Sequence, residues 1–536
     1  MVESLLNSMT LEEKIGQMVM VGFDGQSLTP ELENHLSQNS VGNVIFFSRN
    51  IVDNAQVWAF TRDLQQVAAR RRVPIGFITA IDQEGGVVAR LLDGVSVFPG
   101  NMALGAIGSP NYARRAAEVM AQEMLGLGLN MNLAPVLDVN NNPDNPGIGA
   151  RSYGEDAELV AKLGTAAIEG SQSVGVIATA KHFPGKGDVT IDSHIDLPHV
   201  PHGRERLNSV ELVPFKAAIA AGVGAIMTAH VTFPSIEPEP LLPATMSRNV
   251  LTGLLRNELH FDGITITDDL FMGAISREYG LAEAAIRAIV AGADIALMCH
   301  KPDEQAFAIR AAVEAARSGR IPRERIDSSV RRVLAAKARF GILEPRVSDV
   351  GRSGVGSPAN RALALEIARR AVTVVQNNYG IIPYDAERGR NVLVVTPDVK
   401  NLTMVEDTGS HGSGLAKAVR AVIPEASDIC VSQSPSAEEI GKVAAGAAGR
   451  DLVIVGTYNS HLYPQQAALV RRLAEVGVPV VVVGMRNPYD VKDFADVGTY
   501  IAAYGFRDCS MQAAIEVVFG SLTPSGVLPV TVPGLH

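Results

Sequence analysis

Residues 174–183 read VGVIATAKHF. From Val174 to Ala180 the run carries no charge and no polar/apolar alternation, which suits a strand buried on both faces. It then ends abruptly in Lys181 and His182. Seven other stretches have the same build: IGQMVMVGF (15–23), VGNVIFFS (41–48), IGFITAID (75–82), LNMNLAPVLDV (129–139), GAIMTAHVTF (224–233), GITITDD (263–269) and ADIALMC (293–299). Amphipathic stretches such as AQVWAFTRDLQQVAARR and VELVPFKAAIAAG separate most of them. Eight buried strands alternating with helices over about 300 residues predict a (β/α)8 TIM-like barrel, with a doubly wound open sheet as the alternative. Polar residues collect at the exits: Asp82, Asp138, Lys181, His182, His230, Asp268 and Asp269. Such residues can simply mark where a strand leaves the core. In a barrel, however, every strand's C-terminal end faces one mouth, so acids and imidazoles at five exits would converge, which points to an enzyme.

At 536 residues the chain exceeds one ordinary core, and two or three domains are expected. The Gly- and Ser-rich text RVSDVGRSGVGSPAN (346–360) reads as a linker. Beyond it a second alternation begins: NVLVVTPD (391–398), DLVIVGT (451–457), VPVVVVGM (478–485), TYIAAYGF (499–506) and GVLPVTVPG (526–534). The expected organisation is a barrel over 1–345, a linker over 346–361 and a three-layer α/β/α sandwich with a mostly parallel sheet over 362–536. No GxGxxG follows a strand there, so no dinucleotide cofactor is expected. The net charge is −10 and no basic block occurs, which argues against nucleic acid. Cys299, Cys430 and Cys509 form no CxxC, so neither a disulfide framework nor a thiolate zinc site is expected, and a reducing compartment fits. No secretory leader is legible, and no apolar run approaches the ~20 residues of a membrane span. The expectation is a soluble, cytoplasmic protein.

The loop after VGVIATA reads KHFPGKGDVTIDSH (181–194). Asp192 lies two residues before His194, and a carboxylate beside an imidazole can orient it and stabilise its cation, giving a general acid/base. Asp188 could help or could cap a turn, and Lys181 and His182 offer fixed donors for a polyhydroxylated ligand. The same letters are also ordinary turn chemistry. A zinc set of His182, Asp188, Asp192, His194 and His199 is weighed as well. Its spacing matches no compact motif and lysines stand nearby, so no metal is expected. GITITDDLFMGAI (263–275) ends a buried strand in two carboxylates. Asp268 is the candidate nucleophile or base, and Asp269 the candidate cap.

These stretches resemble glycoside hydrolase family 3, and within it the branch of β-N-acetylglucosaminidases. The branch's KHFPGHGDT followed by DSH and LP appears here as KHFPGKGDVTIDSHIDLP, and the nucleophile segment as TITDDLFMGAI. IDQEGGVVARL (81–91), GARSYGED (149–156) and MTLEEKIGQ (9–17) match in the same order. The resemblance implies a retaining mechanism with Asp268 as nucleophile and His194, paired with Asp192, as acid/base. It implies that Asp82, Arg90, Arg151, Lys181 and His182 hold the sugar in the first subsite. Lys186 departs from the family's second His, and Val87 and Ala89 replace an Arg and a Gln, which leaves donor (N-acetylglucosamine or glucose) and acceptor open. A neutral imidazole would not repel an anionic acceptor as a carboxylate would. Some members of this branch are proposed to be phosphorylases for that reason. Lys186 could supply a cation to phosphate, or point into solvent as lysines usually do. The expected partner is therefore a small carbohydrate, with water or inorganic phosphate as acceptor. In the C-terminal domain EDTGSHGSG (406–414) is either a contact point or a helix start capped by Ser410 or Ser413. A non-catalytic carbohydrate-binding protein is the out-of-class reading.

Overall fold

Thr10 and Glu13 close a reciprocal capping box, which starts a helix over Leu11–Gln17. The first apolar run is therefore part helix, and its strand begins only at Val19. The structure, a computed structural model, describes residues 1–192, 196–346, 352–387, 389–398, 406 and 413–535. Eight strands follow in chain order: β1 (Val19–Gly22), β2 (Asn43–Phe46), β3 (Ile78–Ile81), β4 (Met131–Asn132), β5 (Ile177–Phe183), β6 (Ala225–Thr228), β7 (Ile264–Ile266) and β8 (Ala296–Met298). Each from β1 to β6 pairs in parallel with the next, and β8 pairs in parallel with β1. A parallel bridge from Ile266 to Ile295 completes the ring. The molecule is thus a barrel and not an open sheet. β4 is short because Pro135 has no N–H to donate, and the chain rejoins the ladder only at a bridge between Val136 and Lys181.

Burial explains the unbroken apolar runs. Met20, Ile45, Ile78, Met131, Ile177 and Ile264 fill the barrel interior, while Val19, Val21, Val44 and Phe46 pack outward under the helices. Two of those helices, Asn54–Ala69 and Ala157–Ser173, open on aspartate caps at Asp53 and Asp156.

The second sheet contains β9 (Thr373–Asn377), β10 (Val392–Asp398), β11 (Ser427–Ser432), β12 (Leu452–Thr457), β13 (Val480–Gly484) and β14 (Thr499–Ala502), in the order β9-β14-β13-β12-β10-β11. All pairs are parallel except β9 with β14. Alternate residues serve two cores: Val394, Ile454 and Val481 on one face, Val395, Val453 and Val482 on the other. β9 and β11 were not expected. GVLPVTVPG was expected as a strand and is not one. Pro529 and Pro533 cannot donate, and the segment runs back to the barrel, where Glu155 N–H donates to the Pro529 carbonyl at 3.1 Å.

Candidate active site

A cavity of about 220 Å³ opens where the barrel strands end. Ile45, Leu133, Met227 and Leu297, side chains of the barrel's inner layer, close its floor. Phe47, Phe271, Met272 and His300 form an apolar rim. Between floor and rim lie Asp82, Arg90, Arg151, Lys181, His182, Lys186, Asp268 and Asp269, eight of the residues singled out in the sequence.

Their order is built from the backbone upward. After β3 the chain makes a hairpin over 83–89. Gly86 must be glycine there, because its φ is +58° and a Cβ would stand 2.6 Å from the Gly100 Cα. The Gln83 side chain locks the hairpin by accepting from the N–H groups of Arg90 and Leu91 at 3.0 and 3.1 Å. Arg90 is thereby turned back over Asp82, at 3.5 Å. Lys181 Nζ donates to Asp82 Oδ1 at 2.8 Å and lies 2.6 Å from Glu84 Oε1. Arg151 clasps Glu84 with two bonds, Nε to Oε2 at 2.9 Å and Nη2 to Oε1 at 2.8 Å. All five groups are buried. Burial alone would push Asp82 up, but Lys181, Arg90 and Arg151 outweigh it and bring the carboxyl down to about 2. Glu84 is lowered for the same reason, with burial opposed by Arg151 and Lys181. Lys181 is raised, since Asp82 and Glu84 overcome its desolvation. The result is a fixed, ionised array of donors and acceptors suited to neighbouring hydroxyl groups.

Glu84 was missed in the sequence because it sits on the hairpin and not at a strand end. Its one signal was its place two residues after Asp82 in IDQEGG. Asp138 and His230, both at strand exits, do not line the cavity. Asp138 stands behind His182, with its Oδ2 2.7 Å from Nδ1, and so orients the ring. The same carboxylate accepts the Lys186 N–H at 2.6 Å. His230 bonds the Asp269 carbonyl oxygen through Nε2 at 3.0 Å and fixes the backbone beside Asp268.

Lys186 does not point into solvent. Its side chain is 8% exposed and its Nζ lies 3.7 Å from Asp268 Oδ2. Asp269 does not cap the following helix, Gly273–Tyr279, whose N-cap is Met272. The turn in between sets it too far back, and its Oδ1 instead accepts from Phe271 and Cys299 N–H at 3.2 and 3.0 Å, tying the exits of β7 and β8 together. Burial pushes Asp269 up to about 6, with the Asp268 charge adding to the rise. Val87, at a family Arg position, is packed in the core of the C-terminal domain and not at the cavity. Ala89 pairs with Gln83 inside the hairpin. Asp192 does not line the cavity; its carboxylate lies about 3.9 Å from where a Cβ on Gly147 would be. His194 lies outside the described residues. Asp188 pairs with His202 at 2.7 Å. In the C-terminal loop, Glu406 forms a buried ion pair with Arg486 at 2.6 Å; Ser410 lies outside the described residues, as does the side chain of Ser413.

Residues 10–336 match the glycosyl hydrolase family 3 N-terminal domain, and residues 372–535 the family's C-terminal domain. The chain belongs to glycosyl hydrolase family 3. It is an enzyme of the glycosidase class, with the family's barrel and its additional α/β domain. It is 31% identical to beta-hexosaminidase A of Pseudoalteromonas piscicida, over 98% of this chain and 97% of that protein. It is 29% identical to a beta-N-acetylglucosaminidase/beta-glucosidase of Cellulomonas fimi, over 99% and 95%. The solved structure of a family 3 beta-N-acetylglucosaminidase from Paenibacillus sp. str. FPU-7 superposes with a TM-score of 0.93 at 42% identity, covering 98% of this chain and 99% of that one. Among the described residues, no helix is long and apolar enough to cross a membrane.

Proposed function

We propose that this family 3 enzyme is a retaining, exo-acting β-N-acetylglucosaminidase that also accepts β-glucosides. The observation that carries the reading is a blind cavity lined by buried Asp82, Lys181 and Arg151, the two cations fixed from behind by Glu84, with Asp268 at its wall. A cavity closed at its floor takes the end of a chain and not its middle, which supports exo action. The names of the relatives in Pseudoalteromonas, Cellulomonas and Paenibacillus support the donor. Asp82 accepts from sugar hydroxyls while Lys181, Arg90, Arg151 and His182 donate to them, and Glu84, behind the cavity wall, holds Lys181 and Arg151 in place.

A carboxylate oxygen of Asp268 attacks the anomeric carbon, forming a C–O bond as the glycosidic bond breaks, and His194 gives its proton to the leaving oxygen. In the second step water gives a proton to His194 and attacks the same carbon, and the Asp268 carboxylate leaves. Asp192 orients the imidazole and stabilises its cation whenever the ring carries the proton. Two inversions leave the sugar in its original β configuration.

Phosphate as acceptor is the second reading, favoured by the Lys186 ammonium inside the cavity. Aryl β-N-acetylglucosaminide and aryl β-glucoside, each turned over with and without inorganic phosphate, test both. The expected result is faster release from the N-acetylglucosaminide and free sugar in phosphate-free buffer. Sugar 1-phosphate on adding phosphate establishes the second reading, and release from neither donor overturns the first. We assign the catalytic barrel to 1–345, the linker to 346–361 and the α/β/α domain to 362–536, near the two family matches. The three cysteines are free, which fits a cytoplasmic enzyme.

A further inference from the structure

Arg151 belongs to the barrel, yet the turn that carries it is held from the other domain. The turn spans Gly149–Arg151. Its Gly149 N–H donates to Asn140 Oδ1 at 3.0 Å, and its Ala150 N–H donates to Asn487 Oδ1 at 2.7 Å. Asn487 follows the C-terminal end of β13, 337 residues along the chain from Ala150. Two residues on, the Tyr489 hydroxyl accepts from Asn140 Nδ2 at 2.9 Å. The C-terminal domain therefore grips the turn twice, directly through Asn487 and indirectly through Tyr489 and Asn140. All three side chains are buried.

The fit is close. Gly149 has φ +46°, and a Cβ there would stand 2.3 Å from Asn487 Oδ1. On the other side of the turn, Asn101 Nδ2 donates to the Arg151 carbonyl at 2.7 Å. With its backbone fixed from both sides, Arg151 can place two bonds on Glu84 and still border the cavity. A guanidinium whose turn is free to shift loses that registration and holds the sugar less well in ground state and transition state alike, which raises KM and spares kcat.

We propose that Asn487 is a positioning residue for the sugar-binding site, so that the C-terminal domain sets the geometry of Arg151 without touching the substrate. The proposal rests on the reading of Arg151 as a sugar-binding residue. Asn487→Ala removes the acceptor, and Asn487→Asp keeps an oxygen in its place. In the full chain, with aryl β-N-acetylglucosaminide, Asn487→Ala should raise KM about tenfold, the effect of one lost buried hydrogen bond, with kcat changed less than about threefold. Asn487→Asp should restore KM to within about threefold of the parent. A merely structural role would lower the folded fraction, and so kcat, at constant KM. Unchanged KM in Asn487→Ala, or equal KM rises in the Ala and Asp variants, overturns the proposal. Arg151→Ala, run alongside, separates the two ideas. If it raises KM and Asn487→Ala does not, the clamp fails alone; if it leaves KM unchanged, the role of Arg151 fails and takes the clamp with it. Should Asn487→Ala not fold, Tyr489→Phe, which deletes one oxygen from the same clamp, carries the test: a KM rise supports it and an unchanged KM overturns it.

Discussion

Replacing Lys186 by Gln should move the acidic limb of the pH profile to higher pH. The ammonium lies 3.7 Å from Asp268 Oδ2, with the lysine side chain only 8% exposed. At that separation two unit charges interact by about 1 kcal/mol in water and about 4 kcal/mol at an effective dielectric of 20. Each 1.36 kcal/mol corresponds to about one pH unit, so the shift expected is on the order of 1–3 units. The sign follows from the charge: without a cation beside it, the Asp268 carboxylate holds its proton to higher pH, and the unprotonated nucleophile appears later on the alkaline side. Asp269, the neighbouring carboxyl, is itself pushed up to about 6, so over much of the acidic limb it is neutral and adds little repulsion. The loop should survive the change because backbone groups hold it. The Lys186 N–H donates to Asp138 Oδ1 at 2.6 Å and its carbonyl accepts from Asn145 at 2.9 Å, and Gln keeps both. The measurement is kcat/KM for aryl β-N-acetylglucosaminide across the acidic range, which reports groups of the free enzyme. An acidic limb that does not move, with the variant folded, refutes the action of Lys186 on Asp268 as the proposed nucleophile.

Two further outcomes follow from the charges around the barrel. Burial pushes Asp269 up to about 6, above its ordinary 3.8, so the folded state keeps a proton that the unfolded chain has lost between those values. Stability should therefore fall as pH rises through that window, by roughly 2–3 kcal/mol. Asp269→Asn, which keeps the oxygen that accepts from Phe271 and Cys299, should unfold at higher urea concentration than the parent at neutral pH and together with it below about pH 4; equal midpoints at both pH values would contradict this. Asp294 is fully buried beneath the barrel and accepts from Arg325 and Thr265 at 2.9 Å and from Ser329 at 2.6 Å. Asp294→Ala should cost about 3–5 kcal/mol of stability by leaving guanidinium groups unpaired, with KM of the folded fraction unchanged; a KM change without loss of stability would mean the network serves the site instead.

The barrel was legible because its strands are buried on both faces and stop at polar exits, so VGVIATAKHF and GITITDD announce both a strand and a site. β9 and β11 were not, since TVVQN is short and mostly half-exposed, and SDICVS is an edge strand with every second residue polar or exposed. GVLPVTVPG misled because its apolar content serves docking to the barrel and not a ladder. Within the site, residues at strand ends could be found by position. Glu84 could not, because a hairpin turns it inward. The direction of Lys186 was invisible for a related reason: a loop lysine's target depends on where the chain after β7 places Asp268, 82 residues on. The hold of Asn487 on the Arg151 turn is a tertiary contact between domains, with no local signature in either segment.

The central claim is that Asp268 forms a covalent bond to the sugar. An activated fluoro-sugar donor that slows the second step should trap the glycosyl-enzyme, and digestion with mass spectrometry should place the added sugar on the peptide carrying TITDDLFMGAI, at Asp268. Asp268→Gly should show no adduct and a fall in kcat on the order of 10⁴-fold or more. An adduct on another residue, or an Asp268→Gly enzyme that keeps its turnover, would contradict the claim.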